Sequence, residues 1–598
     1  MDDCASKKKV PDQPNSESST KSERSEQDSK ALMGYGATRP VERVAASIGG
    51  LAAAAPQFEA ASDIPKGGVL LALPALLACG LLRHTEDTPY KLPNGFYGIA
   101  SIFMLLASMA LARIQSIEQL RYTAPGEWGN LLGLDRIPEV RTLRKKLEIL
   151  CEQAGRAIAW NTALAKEWMA GLCDSEMIFY VDGHVRVYSG DLTSLPRHYV
   201  AREKLCLRST TDYWINAMDG QPFLFVNKEV DPGLLATLRR DLVPWLETNA
   251  PVSEELRSRM EANPLQHRFT LVFDREGYSP EWFAEMKKLR IAILTYHKFP
   301  SEKWPEEEFS ACNVTLSGGE VVVLKLAERG TMLSNRLWMR EVRKLSDSGR
   351  QTSILSTDYS ADFTVLAASM FARWSQENFF KYMRQHYGLD RLAEYGTEPV
   401  PDPIETVNPA WRRIDSQIRS TMEKRRRHLA SFGSLDIDPV EDDSGQQLKK
   451  AHIREEIEGI SNDIQTLKLQ RKQTPRHVPV KDLPESERFS RLLVERKHFI
   501  DTIKLIAYRA ETSMAAILRE KLARPDDARA LLRQIYNTEV DLIPDQTSKK
   551  LTVRLHHLSQ AAHDLAVIHL CDQLNATETI FPETELKLVF VLGAGQIP

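Results

Sequence analysis

Ile178-Phe-Tyr-Val-Asp-Gly-His184 and Phe269-Thr-Leu-Val-Phe-Asp-Arg-Glu-Gly-Tyr-Ser279 are the stretches that decide how this chain of 598 residues is read. Each opens with an apolar, β-branched and aromatic run short enough to be a buried strand. The first run ends on Asp182 and the second on Asp274. A carboxylate at a strand end is held on a rigid element at the rim of a sheet. Mg²⁺, which takes hard oxygen ligands in fixed octahedral geometry, suits such a rim. A third acid, Glu377, stands in Arg373-Trp-Ser-Gln-Glu-Asn-Phe-Phe-Lys-Tyr382, which reads as helix.

Working outward, Val185-Arg-Val-Tyr188 follows Asp182 after a Gly-His pair that reads as a turn, so the first two strands form an antiparallel hairpin. Phe223-Leu-Phe-Val226 is a third strand. A helix is expected from Asp231 to about Leu242, because Asp-Pro supplies a capping residue and a proline at the first helical position. The Asp274 strand, a short helix over 280–289 and a strand over 291–296 come next. Between 298 and 360 a β-rich insertion replaces the next helix, with strands at 320–326 and 351–356 on either side of the basic stretch 336–344. The helix resumes at 361 and runs through Glu377 to about His386. Three strands, helix, strand, helix, strand is similar to the ribonuclease H-like fold, whose first and fourth strands carry metal-binding aspartates.

Length predicts several domains. Residues 1–38, rich in Lys, Ser, Glu, Asp and Gln, read as a disordered tail. A helical N-terminal domain is expected over 39–170 and the α/β catalytic domain over 171–395. A linker with a helical hairpin or coiled coil (396–485) and an α+β C-terminal region (486–598) complete the chain. Within the linker region, Ile453, Ile457, Ile460, Ile464 and Leu467 form a seam that a dimer or an intramolecular hairpin would serve equally. The runs 67–82 and 95–112 approach membrane-spanning length. Pro74, Gly80, Ser101, Ser108 and the following Arg113 favour buried helices over a membrane hairpin. Seven cysteines scattered singly indicate reduced thiols inside a cell. The formal net charge of −3 excludes a whole-chain basic field, so any nucleic acid must be held by local patches. One candidate patch is Arg141, Arg144 and Lys145, on a helix face opposite Leu143, Leu147 and Leu150. This is either a solvated face or a helix-turn-helix-like element resting on phosphates.

Phosphodiester cleavage by water or a 3′-hydroxyl needs an activated nucleophile and a stabilised leaving oxygen. Two Mg²⁺ ions about 3.5–4 Å apart do both when carboxylates hold them. Taken singly, a strand-end Asp is more often a turn former and a helical Glu is usually solvated. The ordered set is the signal. Arg373, Glu377 and Arg384 share a helical face, either as metal ligand and phosphate contacts or as a surface ion-pair ladder. Their spacing, with Val-Asp-Gly-His and Phe-Asp-Arg-Glu-Gly-Tyr-Ser, resembles bacterial insertion-sequence transposases of the DDE class whose core ends on a Tyr-Arg-Glu-Lys signature. The chain departs from it with Met370 for the tyrosine and Arg384 for the lysine. The resemblance implies that Asp182, Asp274 and Glu377 are catalytic and hold two Mg²⁺, with Mn²⁺ as a substitute. It also implies phosphate contacts from Arg373, Lys381 and Arg384. His184 and Tyr278 are candidate accessory groups; Trp214 and Trp282 read as core packing. The implied reaction is cleavage at element ends followed by strand transfer. Its partners are double-stranded DNA (terminal inverted repeats and target) and a second protomer or more, in the bacterial cytoplasm at the nucleoid and without a membrane. The rivals are a transposase-derived nuclease, an inactive DNA-binding protein, or a membrane-associated protein.

Overall fold

The structure, a computed structural model, describes residues 39–85, 90–190, 193–200, 203–300, 302–316, 319–371, 374–391, 396–400, 404–434, 443–485 and 488–593. The expected disordered tail lies outside these residues. A short helix (Pro40–Ser47) opens the N-terminal region and is followed by a short strand, β1 (Ala61–Ile64). Segments apolar on every side must be buried, and those between 67 and 112 are. They form a 3₁₀ turn (Gly67–Ala72), a short helix (Leu73–Ala78) and helix α1 (Ile99–Leu111), in which Ile102, Phe103, Leu105 and Ala107 are fully enclosed. No described helix is long and apolar enough to cross a membrane. Helices α2 (Val140–Leu150) and α3 (Arg156–Ala170) follow.

The central sheet begins with β2 (Ile178–Val187), one strand rather than the expected hairpin. Val185 and Val187 prolong the β-branched pattern through Gly183-His184. The ladder continues unbroken from Tyr180 opposite Asn216 to Val187 opposite Ser209. Its antiparallel partner is therefore a later strand, β4 (Leu205–Asn216), reached through β3 (Arg197–Val200). β3 pairs with the outer part of β4, Leu205–Arg208, while β5 (Pro222–Lys228) pairs with the inner part. The helical run after β5 spans 234–249 and starts later than expected. Asp231 accepts hydrogen bonds from Thr211, Tyr213 and the Gly233 amide, which keeps Pro232 and Gly233 outside the helix. β6 (Phe269–Phe273), helix α4 (Pro280–Lys288, capped by Ser279) and β7 (Ile291–Tyr296) form where the sequence places them.

The inner strands run β5-β4-β2-β6-β7, with β2, β6 and β7 parallel. The insertion supplies β8 (Ser310–Thr315), β9 (Val321–Met332), β10 (Trp338–Leu345) and β11 (Gln351–Ser356). Because β11 pairs antiparallel with β7, these strands extend the same sheet, and most of the basic stretch 336–344 is itself strand β10. One face of the sheet packs Val181, Tyr213, Phe273 and Ile293 against 234–249 and α4. The other packs Tyr180, Val272 and Leu294 against helix α5 (Phe363–Phe371), after which α6 (Trp374–Tyr387) continues.

Beyond the sheet, two small strand pairs, β12 (Thr397–Pro399) with β15 (Ser490–Leu492) and β13 (Glu405–Val407) with β14 (His477–Pro479), frame a helical hairpin. Its arms are α7 (Pro409–Ser434) and α8 (Asp443–Gln473). They run antiparallel, with Asp415 on Arg471 and His428 on Glu456, so the isoleucine seam is satisfied within one chain. The C-terminal region follows as α9 (Glu495–Arg519), α10 (Ala528–Asn537), β16 (Val540–Asp545), β17 (Lys550–Leu555), α11 (Ala561–Asn575) and β18 (Lys587–Leu592). β1 forms the edge of its sheet, in the order β1-β16-β17-β18. The N- and C-terminal regions share one apolar core, in which Phe499 of α9 packs on Phe103 and Trp160.

Candidate active site

β2 and β6 lie side by side and parallel, with Val181 opposite Phe273. One residue further along, each carries its acid, so Asp182 and Asp274 are neighbours on backbones about 4.8 Å apart. Asp274 stands at a strand end, as expected, and caps the 3₁₀ turn Arg275–Gly277. Asp182 is in mid-strand, not at a strand end. Side chains alternate along a strand. With Val181 and Phe273 committed to one face, the two acids belong to the face of Tyr180 and Val272. The amide that follows each acid fixes its carboxylate: Gly183 N–H donates to Asp182 Oδ1 at 2.8 Å, and Arg275 N–H donates to Asp274 Oδ1. Both glycines are required by close packing. A Cβ on Gly183 would lie 2.9 Å from the Tyr213 ring, and one on Gly277 would lie 2.6 Å from the Phe273 ring.

Helices α5 and α6 cross this face. Tyr180 donates its hydroxyl hydrogen to the Ser369 carbonyl of α5. Two positions beyond Asp182, His184 stacks on Phe380 of α6 with ring centroids 5.2 Å apart. Trp214, directly opposite Asp182 on β4, packs on Phe379 at 5.3 Å. Asp182 thus sits between Tyr180 and His184 on the strand, and Glu377 sits between Ser369 and Phe380 on the helices. The backbone of Glu377 is therefore carried over the part of the sheet that bears Asp182. The side chain of Glu377, and Arg373 altogether, lie outside the described residues. Met370, at the position of the signature tyrosine, is fully buried against Tyr180 and Val272, so this position packs the core. Over residues 34–594 the sequence matches a family described as Transposase protein. The chain belongs to that transposase family. No curated protein matches it.

On α6 of this transposase, Lys381 and Arg384 are exposed, and Arg384 lies 3.4 Å from Asp390. His184 is buried, with Nε2 2.6 Å from Asp390 Oδ1. It ties β2 to the turn after α6 and does not face solvent. Tyr278 is half-buried against Phe283 and over His297. Burial, then the charge of Glu341, raises its phenol. Trp214 and Trp282 are core residues. Arg141, Arg144 and Lys145 occupy the exposed face of α2, with Leu143, Leu147 and Leu150 buried behind them, and Arg144 pairs with Glu118.

Sequence reasoning missed the groups that hold the site together. Tyr382 and Tyr387 of α6 both donate to Glu511 of α9, which also pairs with Arg113 at 2.7 Å and Arg529 at 3.3 Å. Burial works to raise the Glu511 carboxyl, but the two guanidiniums and the tyrosine hydroxyls outweigh it and hold it below its ordinary range. Arg186, on the same strand face as Asp182, pairs with fully buried Asp212 at 2.7 Å. On the opposite face, burial pushes the Asp231 carboxyl up, while His198, Tyr213, Gly233 and Thr211 pull it down to about 2. A polar residue at every second position, Asp182-x-His184-x-Arg186, in a strand whose other face is apolar was the legible sign of a covered polar layer. In the C-terminal sheet, Asp63, Asp541 and His556 present ligand atoms within 4.8 Å of one another. There the guanidinium of Arg554, 2.8 Å from Asp541, supplies the cation.

Proposed function

We propose that this transposase is of the DDE type, with a ribonuclease H-like core in which Asp182, Asp274 and Glu377 are the catalytic acids. The observation that carries the reading is the register of β2 and β6, which sets two aspartates side by side on the face crossed by the helix of Glu377. The strand order β5-β4-β2-β6-β7, antiparallel and then parallel, supports the same reading. The donor set fits Mg²⁺, or Mn²⁺ in its place: hard carboxylate oxygens on rigid strands. Bound there, a pair of such ions would supply activation of the attacking oxygen and neutralisation of the leaving one. The chain's own residues position the DNA, through Arg373, Lys381 and Arg384, which flank Glu377 in the sequence, and Arg141, Arg144 and Lys145 in the N-terminal region. The reaction is hydrolysis of a phosphodiester at each end of an insertion sequence. The freed 3′-hydroxyl then attacks a target phosphodiester and expels its 3′-oxygen. Synapsis of two ends calls for a dimer or larger complex, working on the nucleoid in the bacterial cytoplasm.

The test is cleavage and joining of end-containing DNA by the full chain with Mg²⁺. D182N and D274N each lower both steps by more than about 100-fold, while binding of the same DNA in EDTA persists. Retention of cleavage by both variants would sink the assignment. Cleavage without joining in the unmodified chain would leave a nuclease.

A further inference from the structure

The hairpin α7–α8 carries a feature that the catalytic reading leaves unused. α7 holds seven Lys and Arg against two Asp and Glu, in a chain whose formal net charge is −3. At 3.6 residues per turn, Arg412, Arg413, Arg419, Lys424, Arg426 and Arg427 fall within a sector of about 160°. Glu423 is the single acid in that sector. Ile414, Ile418 and His428 occupy the other side and face α8, where His428 lies 3.1 Å from Glu456. All the sector's cations but the half-buried Arg412 are exposed. Arg419 pairs with Asp415, but among the described residues Lys424, Arg426 and Arg427 have no ion-pair partner.

A solvated helix face mixes its signs, because like charges three or four residues apart destabilise a helix by about 0.2–0.5 kcal/mol per pair. Here Lys424 and Arg427 repel at that spacing, with no compensating ion pair among the described residues. At the foot of the hairpin, Arg412 donates to the Arg197 carbonyl on β3. Arg197 on β3, Lys204 just before β4 and Arg208 on the outer part of β4 add further cations. β4 then runs inward to Trp214, opposite Asp182. The cations therefore form a track that leads from the arm to the strand next to the catalytic acid.

We propose that the exposed face of α7 is a docking surface for the phosphate backbone of duplex DNA, read without sequence preference. The proposal rests on the transposase reading for its choice of partner. Charge complementarity supplies the contact. From Arg412 to Arg427 the stripe is about 22 Å long, the length of about six base-pair steps.

The experiment uses the full chain in EDTA and a fluorescent 40-base-pair duplex of arbitrary sequence, with anisotropy read from 50 to 200 mM salt. K424Q/R426Q/R427Q is compared with K166Q/K521Q/K550Q, which removes three exposed charges elsewhere. Each lost phosphate contact lowers the salt slope by about 0.9. Over this fourfold range of salt the unmodified chain and the control should therefore lose about 40-fold more affinity than the stripe variant. The stripe variant should also bind at least about tenfold more weakly at 50 mM. An unchanged affinity and slope would overturn the proposal. So would a loss confined to single-stranded RNA, or to vesicles of phosphatidylserine and phosphatidylcholine, with duplex binding intact. Thermal unfolding at the unmodified temperature shows that the variant is folded. D182N binds the duplex normally if the arm acts as stated, so failure of the arm and failure of the active-site reading give different results.

Discussion

The residues beside the two acids constrain the site as tightly as the acids do. Gly183 follows Asp182 in an extended strand, and the ring of Tyr213 lies across it, near enough that a methyl group would stand 2.9 Å away. That ring cannot retreat freely, because its hydroxyl donates to Asp231 at 2.7 Å. Gly183→Ala is therefore expected to cost about 1–3 kcal/mol through overpacking, measured as a lowered denaturant midpoint with an unchanged m-value. Tyr213→Leu in the same chain should return part of that loss, since it removes the atoms in collision. If Gly183→Ala were neutral in stability, the close approach of ring and strand would be wrong. His184 is a second case. A histidine two positions from a proposed metal ligand invites a catalytic role, yet it is engaged with Asp390 and Phe380. It acts by positioning α6, so His184→Ala should lower cleavage and stability together.

At the scale of elements, the helix that carries Glu377 is anchored from the far end of the chain. Tyr382 and Tyr387 reach Glu511, a fully buried carboxylate between Arg113 and Arg529. Removing one partner of a buried ion cluster leaves charge uncompensated and costs about 3–5 kcal/mol. Glu511→Ala is thus expected to lower the unfolding free energy by that amount, and Glu511→Asp, which keeps the charge, by less. Equal losses for the two would show that packing volume, not charge, is what matters there. The same comparison explains which elements could be read from sequence. β6 and β7 announce themselves through short apolar runs, and the Asp182 and Asp274 pair is legible because each acid directly follows such a run. β4 was hidden. Its middle, Ser209-Thr-Thr-Asp212, is polar yet buried, as the strand lies between layers on both faces. Without β4 as a visible partner, Gly183-His184 looked like a turn. Asp390 and Glu511 give no sign because the partners that tie them to the site are remote: Tyr387 and Arg113 lie 124 and 398 positions from Glu511, and His184 lies 206 from Asp390.

The whole molecule is stitched together by ionisable groups in a shared core, and this sets how it responds to acid. β1 completes the C-terminal sheet and α9 packs against α1 and α3, so the family match over 34–594 spans a unit whose two ends fold on each other. Two classes of buried group act in the same direction as pH falls. His498 is fully enclosed beside Asn227, and burial lowers it to about 3, so it stays neutral in the fold. An unfolded chain takes up that proton near pH 6.5, and stability is lost from there downward until the folded group titrates. Asp231 and Glu341 lie at about 2, since burial, which would raise them, is outweighed by hydrogen bonds. A depressed carboxylate contributes stability above its unfolded value, near 4, and loses it as pH falls towards 2. Each carboxylate shift corresponds to about 2–3 kcal/mol and the histidine shift to about 5 kcal/mol. The acid limb should therefore have two parts: a first decline between about pH 6.5 and 4.5 from histidine, and a steeper one below 4.5, where the carboxylates add to it. Denaturant unfolding at pH 7, 5.5, 4.5 and 3.5 reads both. His498→Gln, which has no proton to gain, should make the first part shallower and take the same slope from the second; Asp231→Asn should lower stability at pH 7 and make only the second part shallower. A first decline of the same slope in His498→Gln would show that this imidazole is charged, or exposed, in the folded chain.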